Sequence, residues 1–171
     1  MKGHARSQYR TKVVTLLIAI FAIAALYSCD DGSDCSMNNT SYNRIRLYSI
    51  NAITGKESTA EYNGTLSVSL MVNGKDSIVI NQVKGTQDLA IPMSYTHDCD
   101  TVIFTYDRIY TDTLYVGHSN TPYFISLTCG TGMFHTLKEI RYTQSIIDSA
   151  AIINHTINYD PNENIKLYIS Q

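Results

Sequence analysis

Short runs of alternating apolar and polar residues constrain this chain more than any other feature of its sequence. From Arg44 onward these runs are separated by Asn, Gly, Asp and Pro. A period of two is typical of half-buried β-strands, whereas a helical period is hard to find, so the sequence predicts an all-β fold. The predicted strands are Arg44–Ser49, Thr65–Val72, Ser77–Asn81, Asp88–Met93, Thr101–Tyr106, Thr113–Val116, Tyr123–Cys129, Phe134–Tyr142, Ile146–Ile153 and Ile165–Ile169.

Four short segments predict where the chain turns. Asn73-Gly74 is the clearest, because a type I′ hairpin turn needs two residues that tolerate positive φ. A bulged hairpin is expected at the last of the other three segments, which are Asp107-Arg108, Ser119-Asn120 and Gly130-Thr131-Gly132.

The number and spacing of the runs predict the architecture. Many short strands at spacings of roughly 8–15 residues favour an immunoglobulin-like Greek-key β-sandwich over a closed barrel. Ser145–Ile153 stays open between a strand and a short helix, because its apolar residues fit both periods.

The first 28 residues have the architecture of a signal peptide. Val13–Leu26 is an apolar run of 14 residues, short of the roughly 20 that a spanning helix needs. Leu26-Tyr27-Ser28-Cys29 resembles a lipobox, which predicts acylation of Cys29 and a membrane anchor made of lipid. A secreted protein cleaved nearby, or an uncleaved anchor, is the alternative. The basic residues before the apolar run are Lys2, Arg6, Arg10 and Lys12.

The predicted domain organisation follows from this signal. Residues 1–28 are the signal peptide, 29–40 a lipidated linker, and 41–171 one β-sandwich domain. The acidic segment Asp30–Asp34 admits two sorting outcomes, retention at the inner membrane or export to the outer membrane. Export is favoured, which predicts a lipid-anchored protein on the periplasmic or cell-surface side, the surface being preferred.

The charge balance limits the partners. Without the signal peptide, nine basic residues face fifteen acidic ones, a net charge of −6. An acidic chain without a basic patch predicts no nucleic-acid partner and no contact with an anionic membrane beyond the lipid anchor.

Several short motifs lie in the C-terminal part of the chain and together span about Asp112 to Gln171. They are Asp112-Thr113-Leu114, His118-Ser119-Asn120-Thr121-Pro122, Phe124-Ile125-Ser126, Cys129-Gly130, His135, Ile147-Asp148-Ser149, Tyr159-Asp160 and Glu163-Asn164-Ile165-Lys166. With these motifs the chain resembles an uncharacterised family of small Bacteroidetes-type lipoproteins, a domain of unknown function. The resemblance implies a β-sandwich lipoprotein and no assigned activity.

Three cysteines follow Cys29 in a compartment that oxidises thiols. Cys129 is predicted to point into the core, because it shares a strand face with apolar residues. Cys35 lies just before the first strand, where a disulfide would fix the linker to the sandwich. A Cys35–Cys129 disulfide is favoured, while a pairing with Cys99 and the absence of any disulfide stay open.

The sequence predicts no metal site, no cofactor and no enzyme. His118 and Cys129 would lie about 20 Å apart at opposite ends of the predicted strand, so they cannot share an ion. His135 is expected to be a hydrogen-bonded histidine. The chain contains no G-x-S-x-G or H-E-x-x-H motif, and the Gly130 segment lies between two strands rather than before a helix.

Two classes of function remain. The first is a structural or interaction lipoprotein that offers loops or a sheet edge to an envelope protein. The second is a small lipoprotein that binds a glycan or peptide, for which tyrosines clustered on one face would be the distinguishing feature.

A recurring tripeptide, Asp-Ser/Thr-aliphatic, predicts O-glycosylation. It matches an acceptor pattern of exported proteins in Bacteroidetes-type bacteria, and it also suits an ordinary strand entry. Hairpin and loop edges are more accessible, so Ser77 and Thr101 are preferred among the candidates Ser77, Thr101, Thr113 and Ser149.

Overall fold

The structure, a computed structural model, describes residues 40–127 and 129–170. The predicted signal peptide, Cys29 and Cys35 lie outside these residues. Within them no helix is long and apolar enough to cross a membrane. The chain forms the strands β1 (Tyr42–Ile50), β2 (Glu57–Thr59), β3 (Leu66–Val72), β4 (Lys75–Val83), β5 (Asp88–Pro92), β6 (Cys99–Tyr106), β7 (Tyr110–Ser126), β8 (Gly130–Tyr142), β9 (Ile147–Ile152), β10 (Thr156–Ile157) and β11 (Ile165–Ile169).

Two packed sheets confirm the predicted β-sandwich. One sheet has the order β2-β1-β11-β9, with β5 also paired to β1, and the other has the order β10-β8-β7-β6-β3-β4. β1 and β11 run parallel, and the remaining pairs are antiparallel. The segment left open between strand and helix forms β9, and the sequence analysis missed the short strands β2 and β10.

The predicted strands Thr113–Val116 and Tyr123–Cys129 are wrong as separate elements, because the first and the start of the second, to Ser126, both belong to β7. Leu127 and Cys129 lie in the turn that follows. The predicted turn at Ser119-Asn120 is therefore wrong as well. Asn120 pairs with His135 of β8, and a register shift between Gly117 and His118 bends the strand without ending it. Pairing with β6 stops at Gly117. Pro122, which has no backbone N–H to donate, therefore lies beyond the part of β7 that pairs with β6.

The other predicted turns are placed as follows. Asn73 and Gly74 both have positive φ, 51° and 75°, as a type I′ turn requires. Asp107 and Arg108 also have positive φ, 51° and 61°, and join β6 to β7. The β7–β8 connection precedes the predicted glycine segment, all of which belongs to β8.

The core lies between the two sheets. Ile45, Leu47, Ile165 and Leu167 alternate along β1 and β11 and are each no more than 1% exposed. Burial of such side chains stabilises the fold by about 1.5–3 kcal/mol each. The facing sheet contributes Leu66, Val68, Val102, Phe104, Tyr106, Leu114 and Val116.

One buried carboxylate fixes the crossing from β8 to β9. Asp112 accepts hydrogen bonds from the backbone N–H groups of Ser145 (2.7 Å), Ile146 (2.7 Å) and Ile147 (3.0 Å). It also accepts the Thr143 hydroxyl at 2.8 Å. These four donors replace the water lost on burial and hold the connection in one conformation.

Candidate functional site

Three aromatic rings meet on one side of the β7–β8 hairpin. Tyr123 stacks on Phe134 with ring centroids 4.6 Å apart, and Tyr159 meets Phe134 edge-on at 5.0 Å. Tyr123 and Tyr159 are 44% and 36% exposed. These three residues are called the aromatic cluster below. Tyrosines therefore lie together on one face, which is the feature expected of a glycan- or peptide-binding protein.

Strand pairing positions two of the three rings. Thr121 lies opposite Phe134 and Tyr123 lies opposite Gly132, so all four residues share one sheet face. Gly132 has no side chain, and the Tyr123 ring can therefore reach diagonally to Phe134. Tyr159 arrives from the loop after β10, whose two residues pair with β8.

The Tyr159 phenol of the cluster stays protonated at neutral pH. Burial raises the pKa of Tyr159, and the neighbouring phenols of Tyr95 and Tyr123 raise it further. Between Thr113 and Leu137 the chain contains no Asp, Glu, Lys or Arg. The hairpin thus offers neutral rings and hydroxyl groups to a ligand.

A pair of buried histidines lies on the opposite face of the hairpin. The rings of His118 and His135 are 5.3 Å apart, edge to face, and each side chain is 1% exposed. Nδ1 of each ring lies 2.8 Å from Asn120 Oδ1. The Asn120 amide nitrogen donates to the His97 carbonyl, which orients its oxygen towards the two rings. Both Nδ1 atoms are therefore the donors.

The environment of the pair favours neutral His135. Burial, together with the neighbouring His118, lowers the pKa of His135 to about 4. His118 Nε2 lies 3.2 Å from Asp100 Oδ2, which also accepts the Ser94 N–H at 3.0 Å. The expected hydrogen bonding of His135 is confirmed, and the pair links the hairpin base to the β5–β6 connection.

A cleft of about 510 Å³ lies between the β3–β4 hairpin and the β5–β6 connection. Met71, Met93, His97 and Cys99 contribute to its walls. Cys99 is a free thiol, and burial raises its pKa, so it is protonated at neutral pH and a poor nucleophile. Across the described ranges, no cluster of three or more His, Cys, Asp or Glu side chains is arranged to hold a metal ion.

Of the two cysteines in the predicted disulfide, the structure describes Cys129 but not Cys35. Cys129 is disulfide-bonded, whereas Cys99 is free, so the partner of Cys129 lies outside the described residues. Its pairing with Cys35 stays a prediction. Cys129 lies half-buried in the β7–β8 turn. The expectation that it ends a strand and points into the core is therefore wrong.

The candidate glycosylation residues differ in accessibility. Ser77 is exposed on β4, the edge strand of its sheet. The other three candidates, Thr101, Thr113 and Ser149, are half-buried within strands. Asp112, which precedes Thr113, is buried and accepts the hydrogen bonds of the β8–β9 crossing. Ser77 is the candidate best placed for a transferase.

Sequence analysis did not find the aromatic cluster or the histidine pair. Tyr123 and Phe134 fell in strands predicted correctly in type, but the pairing register was not known. His118 and His135 looked unrelated because a turn was predicted at Asn120, which in fact joins them. The uncharged stretch from Thr113 to Leu137 was the one available signal that this hairpin differs from the rest.

Comparison with known proteins assigns the chain to a family. A family model described as a family of unknown function, DUF6452, matches residues 65–169, well over half of the chain. No curated protein matches the chain, and no solved structure does. The matched region runs from the start of β3 to the end of β11 and includes the β7–β8 hairpin. The chain belongs to the DUF6452 family of unknown function.

Proposed function

We propose that this chain is an envelope-anchored lipoprotein of Bacteroidetes type, held by acylated Cys29, and that its aromatic cluster binds a neutral glycan. The observation that carries the proposal is the meeting of Tyr123, Phe134 and Tyr159 on one partly exposed face. Proteins use tyrosine at such surfaces because the ring is apolar and the hydroxyl can hydrogen-bond.

The surroundings of the cluster suit a sugar better than a charged ligand. Thr121 and Thr136 are exposed on the same face and offer hydroxyl groups beside the rings. The hairpin carries no charge between Thr113 and Leu137. An anionic sugar would find no cation there to offset the loss of its water, whereas the C–H face of a neutral sugar can lie against a ring.

Binding of neutral oligosaccharides tests this site. Screening a glycan array should identify a ligand, and calorimetry should show at least a tenfold loss of affinity in Tyr123→Ala and Tyr159→Ala. The matched control is Tyr115→Ala, since Tyr115 is also on β7 and 37% exposed but packs beside Arg141. Equal affinity in all three variants, or no glycan bound at millimolar concentration, would contradict the proposal.

The anchor has its own test. Cys29→Ser should release the protein from the membrane fraction or block its processing, and the wild type should carry the mass of its acyl chains. Surface proteolysis of intact cells would show whether the protein lies on the cell-surface side of the outer membrane, which we favour, or on the periplasmic side. A Cys29→Ser protein that fractionates like the wild type without acyl mass would contradict lipidation.

A protein partner is the second candidate function. β4 is an edge strand, and Ile78 on it is 64% exposed, with Met71 and Val72 of β3 also exposed. An unpaired edge with apolar side chains can accept a strand from another protein. Ile78→Lys should then abolish capture of an envelope partner by cross-linking while leaving glycan binding unchanged.

A further inference from the structure

The β7–β8 hairpin extends beyond the rest of its sheet. β6 pairs with β7 only as far as Gly117, and β10 covers β8 only at His135 and Thr136. From Thr121 to Gly130 the described residues of the two strands pair only with each other. Beyond Gly117 and His135 no described strand lies beside the hairpin in its sheet, so its end can contact a surface that the sandwich itself does not reach.

The end of the hairpin is apolar and uncharged. Leu127 is 96% exposed and Phe124 is 61% exposed, with Tyr123 beside them at 44%. Single exposed apolar residues are ordinary, but here they meet at one extremity within a long uncharged stretch. Leu and Phe suit the boundary between lipid headgroups and acyl chains, and Tyr is enriched at the same depth. We call Phe124, Leu127 and Cys129 the hairpin tip.

The disulfide of Cys129 relates the hairpin tip to the membrane anchor. Because Cys99 is free, the candidate partners of Cys129 within this sequence are Cys29 and Cys35. If Cys29 is acylated, as the proposed function holds, the partner is Cys35. The disulfide then lies six positions after the acylated cysteine, a span of at most about 21 Å. The tether keeps the tip at high effective concentration beside the bilayer.

We infer that the hairpin tip docks on the bilayer that holds the anchor, with Leu127 and Phe124 entering the headgroup boundary. This inference rests on the proposed lipidation. The tip has no basic residue, so docking depends on burial of apolar surface and needs no anionic lipid. Tyr123 lies four residues from Leu127, about 13 Å up the hairpin. The aromatic cluster would therefore face ligands close to the membrane surface.

Tryptophan fluorescence can test docking directly, because the chain contains no tryptophan. The acylated protein carrying Leu127→Trp is reconstituted into phosphatidylcholine vesicles with brominated acyl chains. Its emission should shift to the blue and be quenched at least threefold more than that of Ile53→Trp. Ile53 is the matched control because it is 94% exposed in the turn after β1. Ile53 follows the end of β1 that is away from the hairpin. At the opposite end of β1, Ser41 Oγ donates to the Met133 carbonyl of β8 at 2.5 Å.

Vesicle flotation and the intact mass of the protein distinguish a failure of docking from a failure of the lipid anchor. A protein that is acylated and floats with vesicles, but whose Leu127→Trp variant emits and quenches like Ile53→Trp, overturns docking and leaves the anchor standing. A protein without acyl mass, or with a Cys29–Cys129 bond in a non-reducing peptide map, overturns the anchor and the inference with it. Phe124→Trp repeats the measurement three residues earlier, on β7, and its emission should be quenched as well.

Discussion

The body of the sandwich and the β7–β8 hairpin use the same strands in opposite ways. In the body, β6 and β7 direct Phe104 and Leu114 inward, each 0% exposed. In the hairpin, β7 continues with Phe124 at 61% exposure, and the tip ends with Leu127 at 96%. The difference shows that one strand can first build the core and then display apolar surface, once its neighbours end.

The boundary between these two regions is polar. Ser41, His118 and His135 are buried there, each no more than 1% exposed. Ser41 donates to β8, and Asn120 joins the two histidines. Buried hydrogen bonds of this kind orient the hairpin more specifically than apolar packing would.

The largest contrast should come from one substitution made in both regions. Phe104→Ala should lower the free energy of unfolding by about 4 kcal/mol, because it leaves a cavity between the sheets. Phe124→Ala, its matched control on the exposed hairpin, should change it by less than about 0.5 kcal/mol. Urea denaturation of both variants measures the difference. Similar losses would mean that the hairpin tip is part of the core.

A smaller loss of stability is expected when Asp112, which holds the β8–β9 crossing in the body of the sandwich, is replaced. Asp112→Ala should lower the free energy of unfolding by about 3 kcal/mol, since it leaves the N–H groups of Ser145, Ile146 and Ile147 without their acceptor. Asp76→Ala, on exposed β4, is the control and should be nearly neutral. If the two variants unfold at the same urea concentration, Asp112 does not hold the β8–β9 crossing.

The smallest effect tests the boundary through pH. His135 binds its proton near pH 4 in the folded protein and near 6.5 in the unfolded chain. Between these values the unfolded state binds more protons, so the free energy of unfolding should fall by about 2 kcal/mol as the pH drops from 6.5 to 4.

His135→Gln should remove that fall from pH-dependent urea curves, whereas His97→Gln, in the exposed β5–β6 connection, should retain it. Asp100 and His118 face the same site and are unchanged in both variants. The difference between the two curves therefore isolates His135. Parallel curves would mean that His135 is not held neutral by burial.

The sequence predicted most of the strands because alternation is a local property. Asn73-Gly74 marked its turn correctly, since positive φ is a preference of the residues themselves. At Ser119-Asn120 the same reasoning was wrong, because the polar side chain of Asn120 bonds across to His135 instead of closing a turn. Local preference and tertiary pairing conflicted there, and pairing decided the structure.

The aromatic cluster could be predicted only in part. An uncharged hairpin with several aromatic residues is visible between Thr113 and Leu137. Tyr159, by contrast, reaches Phe134 through β10, a strand of two residues that no periodicity can reveal. The expectation that clustered tyrosines would distinguish a binding protein was useful, but alternation does not say which tyrosines meet.

By itself the sequence determined that the chain forms strands, where several of them turn and which side of most strands faces the core, because these depend on residues one or two positions apart. The tertiary structure alone decided that β7 runs unbroken for 17 residues, that His118 meets His135, and that Tyr123, Phe134 and Tyr159 form one surface. Those contacts depend on sheet register and on the return of distant segments. Both are set by packing of the whole domain.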